Sequence, residues 1–144
     1  MDQYFKEWKV YSTLSVPSRV RKAASKDEFA QELLDLWDNR EMKGVTYTAY
    51  LYSIPVGFIL LQDNSPKYKT IRGTWVSENF RGRGVGEKLL STVLQEHKHR
   101  DVDIVVNITP GAEGFYEKYG FKIVGKREDL DMNIGLWEAL KENE

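Results

Sequence analysis

The sequence predicts a mixed α/β (α+β) fold, a central sheet of about six to seven strands carrying about three to four helices. Three observations point to it. Apolar residues recur at helical spacing in two well-separated segments, 26–42 and 84–100. Short runs rich in Val, Ile, Thr and Tyr lie around them, bounded by turn residues. The second helical segment has such a run on each side, the strand–helix–strand order of a right-handed crossover.

In chain order, Trp8 to Val16 alternates loosely and reads as a strand that Pro17 ends, because proline lacks the ladder donor. Ser25-Lys26-Asp27-Glu28 has capping-box spacing, and Phe29, Leu33, Leu34, Leu36 and Trp37 follow it, so one helix is expected from Lys26 to Met42. Val45 to Ser53 and Val56 to Gln62 read as a hairpin turning at Ser53-Ile54-Pro55. Asp63-Asn64-Ser65-Pro66 is a loop, and Thr70 to Ser77 is a further strand. Gly84 to Arg100 places Val85, Leu89, Leu90, Val93, Leu94 and His97 on one helical face. Val102 to Ile108 has the near-continuous apolar run of a buried strand. Thr109-Pro110 predicts an N-cap with proline at the first helical position, in a short helix reaching Lys118 and ended by Gly120. Gly111 and Gly114 each weaken that helix by about 1 kcal/mol relative to alanine. Phe121 to Lys126 is a strand. Met132 to Leu140 reads as the last strand, although the same residues also suit a helix.

Composition bounds the function. The 144 residues carry 21 basic and 22 acidic side chains, one domain's worth of protein with near-neutral charge. A single domain over 1–144 is therefore expected. That charge argues against binding duplex nucleic acid through a broad basic field. The chain has no cysteine, which excludes disulfides, thiolate metal sites and a thiol nucleophile. Two histidines, His97 and His99, are too few for a typical histidine metal site, so no metal is expected. Apolar runs are too short to span a bilayer, and the first residues lack a signal-peptide pattern. A soluble cytoplasmic protein with no membrane association is the expectation.

The segment Val76-Ser77-Glu78-Asn79-Phe80-Arg81-Gly82-Arg83-Gly84-Val85-Gly86-Glu87 joins an expected strand to an expected helix. Glycines there permit a tight turn and close ligand approach. The leading amides of the helix lack internal partners, so the turn suits an anion, most naturally phosphate or pyrophosphate. An ordinary flexible loop is the competing reading. Glu87-Lys88 after Gly86 does not fit a nucleotide P-loop, and glycines at intervals of two do not fit a dinucleotide-binding turn.

Arg81-Gly82-Arg83-Gly84-Val85-Gly86 resembles the Gln/Arg-x-x-Gly-x-Gly/Ala signature of the GNAT superfamily of acyl-CoA-dependent N-acetyltransferases. The run from Ala112 to Phe121, with Tyr116 at its centre, resembles a second element of the same family. The resemblance implies a GNAT fold with splayed parallel strands four and five and acetyl-CoA as co-substrate. It implies that backbone amides of Arg81, Gly82, Arg83, Gly84, Val85 and Gly86 hold the pyrophosphate. Backbone groups of Trp75 and Val76 would meet the pantetheine arm and polarise the thioester carbonyl. Asn107 and Thr109 would lie near the cofactor, Thr109 where relatives often carry asparagine. Tyr116 would protonate the leaving thiolate, since tyrosine titrates near about 10; a half-buried packing aromatic is the alternative.

The resemblance implies an amine acceptor attacking in a ternary complex. A catalytically silent acyl-CoA sensor or scaffold is the alternative function. Dimers are common in relatives, but nothing in the sequence fixes an interface. No acid stands in the fourth strand as general base; Glu78 is the nearest carboxylate, and a water chain or a neutral amine would serve equally. Arg19, Arg21, Lys22 and Lys26 form a basic stretch suited to an acidic partner or to solvent. Glu128, Asp129 and Asp131 form an acidic turn suited to a cationic amine, so the two clues oppose each other. His97 is expected to complement its helix C-terminus as a cation. Tyr47, Tyr50 and Tyr52 read as strand packing.

Overall fold

The structure is a computed structural model that describes residues 8–139. Its seven strands are β1 (Trp8–Thr13), β2 (Gly44–Leu51), β3 (Ile54–Asp63), β4 (Tyr68–Val76), β5 (Asp103–Ile108), β6 (Lys122–Arg127) and β7 (Met132–Trp137). They form one mixed sheet in the order β1-β2-β3-β4-β5-β7-β6. Four helices pack on it: α1 (Ser18–Ala24), α2 (Glu28–Asn39), α3 (Val85–His97) and α4 (Glu113–Lys118). Every pairing is antiparallel except that of β4 with β5, which α3 connects.

From Phe58 on, the period of two along β3 divides the core between the faces of the sheet, and Val56, the extra residue at a register shift against β2, joins the Ile59 side. Val56, Ile59 and Leu61 meet α3 through Val85, Leu89, Leu90, Val93 and Leu94, with the aromatic residues of α4 beside them. Phe58 and Leu60 face the other way, against Val20 and Ala24 of α1 and Ala30, Leu34 and Trp37 of α2.

One register shift organises the centre of the sheet. Leu60 pairs with Gly73 but Leu61 pairs with Ile71, so Arg72 is an extra residue in β4. Such a bulge bends the strand and increases its twist. Ile71 packs with the α3 side and Trp75 with the α2 side, although their even spacing would put them together in a regular strand. At the same point β4 leaves β5: the parallel pairing runs from Tyr68↔Asp103 to Ile71↔Val106 and stops. The expected splay between these strands is therefore present.

Four local expectations need correction. The segment before α2 is itself helical, α1, with Val20 and Ala24 as its buried i, i+4 anchors. The capping box does not form. Asp27 is the N-cap of α2 and accepts from the Ala30 amide at 3.0 Å, while Ser25 Oγ donates to the Lys22 carbonyl at 2.6 Å. The hairpin turns at Tyr52-Ser53, with Tyr52 left-handed (φ 59°), and Ile54 and Pro55 already belong to β3. Thr109 does not cap α4. Its carbonyl accepts from the Ala112 amide at 3.0 Å in a turn where Gly111 has φ 93°, so Gly111 favours the turn and weakens no helix. Met132 onward is a strand, paired with both β5 and β6; Leu140 lies outside the described residues.

Candidate active site

The parting of β4 from β5 opens a cavity of about 530 Å³. One side is walled by Phe29, Leu33 and Leu36 of α2 and by Gly73. Opposite stand Thr74, Asn107, Thr109, Ala112 and Tyr116. The cavity thus reaches both faces of the sheet through the gap. The doubled stripe of α2 explains one wall: Ala30, Leu34 and Trp37 fill the core, and the stripe one residue earlier, Phe29, Leu33 and Leu36, lines the cavity. Gly73 permits α2 to approach this closely, since a Cβ there would lie 2.9 Å from both Leu33 methyl carbons.

The backbone of β4 supplies a free edge. The Ser77 amide donates to the Val56 carbonyl at 2.8 Å. Alternation in an antiparallel pair then turns Trp75's amide and carbonyl toward β3, and those of Thr74 and Val76 toward the gap. The Trp75 side chain is buried against Phe58, with ring centroids 5.3 Å apart. Of the two strand residues expected at the cofactor, Val76 presents its backbone to the gap and Trp75 supports from behind. Thr74 presents its backbone there too, a position that sequence reasoning missed because the bulge decides which residues face out.

The glycine loop follows. Glu78–Phe80 form a 3-10 turn, Gly82 and Gly84 have φ of 75° and 86°, and Val85 begins α3. Gly84 is the N-cap in the left-handed region, where an L side chain would be strained. The Lys88 amide reaches the Gly84 carbonyl at 3.0 Å, which leaves the amides of Val85, Gly86 and Glu87 without an intrahelical acceptor. These amides sit at the positive end of a 13-residue helix, a fit for the pyrophosphate of coenzyme A. Space beside Gly82 is open, with no atom within 4 Å of an added Cβ. Gly86 lies against Val76 and Phe115. Arg83 is exposed, its guanidinium 5.7 Å from the Phe80 ring centre. Glu87, the acid of this first turn, is offset by Lys118 at 3.7 Å.

Arg81 acts as a bracket. Its Nε donates to the Val76 carbonyl at 3.1 Å, and its terminal nitrogen reaches Asp27 at 3.3 Å. Asp27 therefore ties the start of α2 to the end of β4. The Ala30 amide, the Trp75 indole and Arg81 together hold its carboxyl below the usual range, the amide having the largest effect.

Tyr116 lies half-buried on α4 at the cavity wall, edge-on to Phe115 and Phe121 at 5.1 and 5.4 Å. Burial raises its pKa, and the Thr74 hydroxyl beside it opposes that shift. It stays protonated at neutral pH and can give a proton into the cavity. Asn107 and Thr109 line the same cavity, at the end of β5 and just past it.

The remaining candidates lie elsewhere. Glu78 is exposed in its turn and does not line the cavity. Arg21 is committed to Asp38 at 2.8 Å, and Arg19 to the Ser53 carbonyl at 3.3 Å. Asp131 pairs with Lys126 at 3.6 Å. His97 is fully buried, with Nδ1 2.7 Å from the Val93 carbonyl. Its pKa is lowered by burial, so it is a neutral core residue and not a cation at the helix end. Tyr47 is buried and donates to Glu96; Tyr52 is exposed in its turn. Among the described residues no cluster of metal-ligating side chains occurs, and no helix is long and apolar enough to cross a membrane.

A family model described as an acetyltransferase (GNAT) domain matches residues 10–134 of the chain. The chain belongs to the GNAT family. No curated protein sequence matches it at a significant level. Its GNAT fold is similar to that of a GNAT family acetyltransferase from Elizabethkingia anophelis with acetyl-CoA bound (TM-score 0.70, 19% identity, 92% of this chain and 98% of that one). It is similar to an acyl-CoA N-acyltransferase from Pseudomonas aeruginosa (TM-score 0.71, 14% identity, 90% and 99%). Arabidopsis thaliana Naa50, in complex with the bisubstrate analogue CoA-Ac-MVNAL, is a third (TM-score 0.64, 21% identity, 88% and 97%). At these identities the likeness establishes the GNAT fold.

Proposed function

We propose that the chain is an N-acetyltransferase moving an acetyl group from acetyl-CoA to a primary amine by direct attack in a ternary complex. The observation that carries this reading is the gap between β4 and β5. It joins a free strand edge and a helix N-terminus on one side to a separate apolar wall on the other, with Tyr116 at the junction. Amides of residues 82–87 would hold the pyrophosphate, with Arg83 adding charge. The backbone of Thr74 and the amide of Val76 would bind the pantetheine arm as a strand binds a strand, and an amide there would polarise the thioester carbonyl, while the Val76 carbonyl stays with Arg81. Acetyl-CoA supplies the activated acyl group; with no cysteine, the chain offers no thiol to carry it. The amine nitrogen bonds to the acyl carbon, the carbon–sulfur bond breaks, and the nitrogen sheds its proton to water. Tyr116 protonates the departing thiolate and takes a proton back from water, so the net proton released is the amine's.

Purified protein incubated with acetyl-CoA and a broad amine panel, read as release of the free coenzyme A thiol, tests the reading. Amine-dependent release is expected. Tight acetyl-CoA binding with no release across the panel would replace it with the sensor or scaffold reading. That alternative draws on one observation: the only carboxylate lining the cavity among the described residues, Asp129, is already paired with Arg127.

A further inference from the structure

The acceptor side of the cavity has a charge pattern that the acetyl-transfer chemistry does not require. Arg40 at the end of α2, Arg72 at the bulge and Arg127 at the end of β6 all line it. They come from three distant parts of the chain. Arg127 is paired with Asp129 at 2.8 Å, whereas Arg40 and Arg72 make no ion pair among the described residues. Arg72 is half-buried, and its Nε donates to Gln62 Oε1 at 2.6 Å, which fixes the stem and leaves the terminal nitrogens of the guanidinium without an acceptor among the described residues. Burial, and then the charges of Arg40 and Arg127, pull its pKa below the ordinary value. A cation so placed gains most from an anion that fills the cavity with it, because unpaired charge away from water is unfavourable. The bulge delivers Arg72 here: the extra residue puts it on the same side as Gly73, toward Gln62 and α2, not toward α3.

The rest of the wall is apolar. Phe29 and Leu36 are 54% and 49% exposed, although the α2 stripe beside them is buried, and Leu130 is 47% exposed across the cavity. Apolar side chains surrounding a small cationic patch suit a ligand that is apolar with one anionic group. A polyamine would meet like charge, and an ammonium with no carboxylate would be disfavoured by the same guanidiniums.

We propose that the acceptor is a free α-amino acid with an apolar side chain, its carboxylate held by Arg72 and Arg40 and its side chain against Phe29, Leu33 and Leu36. This deepens the acetyltransferase reading and rests on it. The carboxylate forms end-on hydrogen bonds to the guanidinium. The α-nitrogen, on the carbon bearing that carboxylate, is then directed to Thr74, two residues along β4 from Arg72, and to Tyr116 of α4, which lines the same cavity. Transfer forms the amide nitrogen–carbon bond and releases coenzyme A as its thiol. The product is an N-acetylated amino acid, which has lost its positive charge and keeps its carboxylate.

The test uses the whole chain with acetyl-CoA and matched acceptors: leucine, leucinamide, isoamylamine and spermidine. Leucine is expected to exceed leucinamide and isoamylamine at least tenfold in kcat/KM, and spermidine by more. Arg72→Gln should lower the leucine-to-leucinamide ratio at least tenfold, mainly through KM, and Arg72→Lys should restore part of it. Arg40→Gln, at an exposed position, should lower the same ratio about threefold and guards against misfolding at Arg72. Leucinamide or spermidine turned over as well as leucine, or a ratio unmoved by both substitutions, would overturn the proposal and leave the acetyltransferase reading standing. Acetyl-CoA binding without turnover of any of the four, or of the broader panel, would overturn both.

Discussion

Asp27 makes the bracket between α2 and β4 open to measurement. Asp27→Ala removes the N-cap bond to the Ala30 amide, worth about 1 kcal/mol. It also removes the ion pair with Arg81, whose side chain is 55% exposed, so that pair adds only about 0.2–1 kcal/mol. The sum, about 1–2 kcal/mol, corresponds to a fall of about 4–7 °C in Tm for a chain of this length. Asp27→Ser keeps a capping oxygen and loses the ion pair, so its Tm should fall by about 1–3 °C. Circular-dichroism melts at pH 7 measure both. The carboxyl of Asp27 is held below its ordinary range, so its contribution is present above about pH 4 and is lost as pH falls through the folded-state pKa. The difference between wild type and Asp27→Ala should therefore narrow in acid. Arg81→Gln should weaken acetyl-CoA binding about three- to tenfold by calorimetry, because Arg81 also holds the Val76 carbonyl at the end of the free edge. An unchanged Tm in Asp27→Ser, or unchanged acetyl-CoA affinity in Arg81→Gln, would refute the bracket; equal Tm losses for the Ser and Ala variants would refute the cap.

Tyr116→Phe should lower kcat by about 10²-fold while the acetyl-CoA dissociation constant moves little; an undiminished kcat under chemistry-limited conditions would reduce Tyr116 to packing. Because burial raises its pKa, no loss of kcat from ionisation of Tyr116 is expected below about pH 10. Gly84→Ala must adopt φ 86° or shift the loop, so about 1–2 kcal/mol of stability should be lost, with weaker acetyl-CoA binding; a denaturant melt superimposing on wild type would contradict the turn geometry. His97 has a lowered pKa in the fold, so the unfolded chain takes up a proton that the folded chain refuses. Stability should fall as pH drops below about 6.5, and His97→Met should flatten that slope in urea titrations at pH 5.5 and 7.5.

The parts of the site set by local backbone chemistry were legible in the sequence. The glycine loop announces itself because Gly82 and Gly84 occupy conformations that other residues avoid. The apolar period of residues 85–97 marks α3 for the same kind of local reason. α1 was hidden because seven residues with two buried anchors leave almost no periodic signal. Ser25 and Glu28 have the spacing of a capping box, yet α1 ends at Ala24 and its C-cap uses Ser25, so Asp27 takes the cap of α2. The bulge at Arg72 depends on β3 pairing with β4 on one side and β5 leaving on the other, which no window of residues encodes. The meeting of Arg40, Arg72 and Arg127 likewise follows from topology. In the chain they are scattered basic residues, while the contiguous basic stretch from Arg19 to Lys26 turns its Arg21 to Asp38.

The sheet is a four-strand meander and a three-strand unit sewn together by four parallel residue pairs, Tyr68 to Ile71 against Asp103 to Val106. Each unit is antiparallel within itself, so its hydrogen-bond network is denser than the join. Amides along that join should exchange with solvent sooner than those in the middle of β3. A ligand lying in the gap would touch both units at once and act as a removable stitch. Its binding would be felt as slower opening of the whole molecule, not only as occupancy of a pocket.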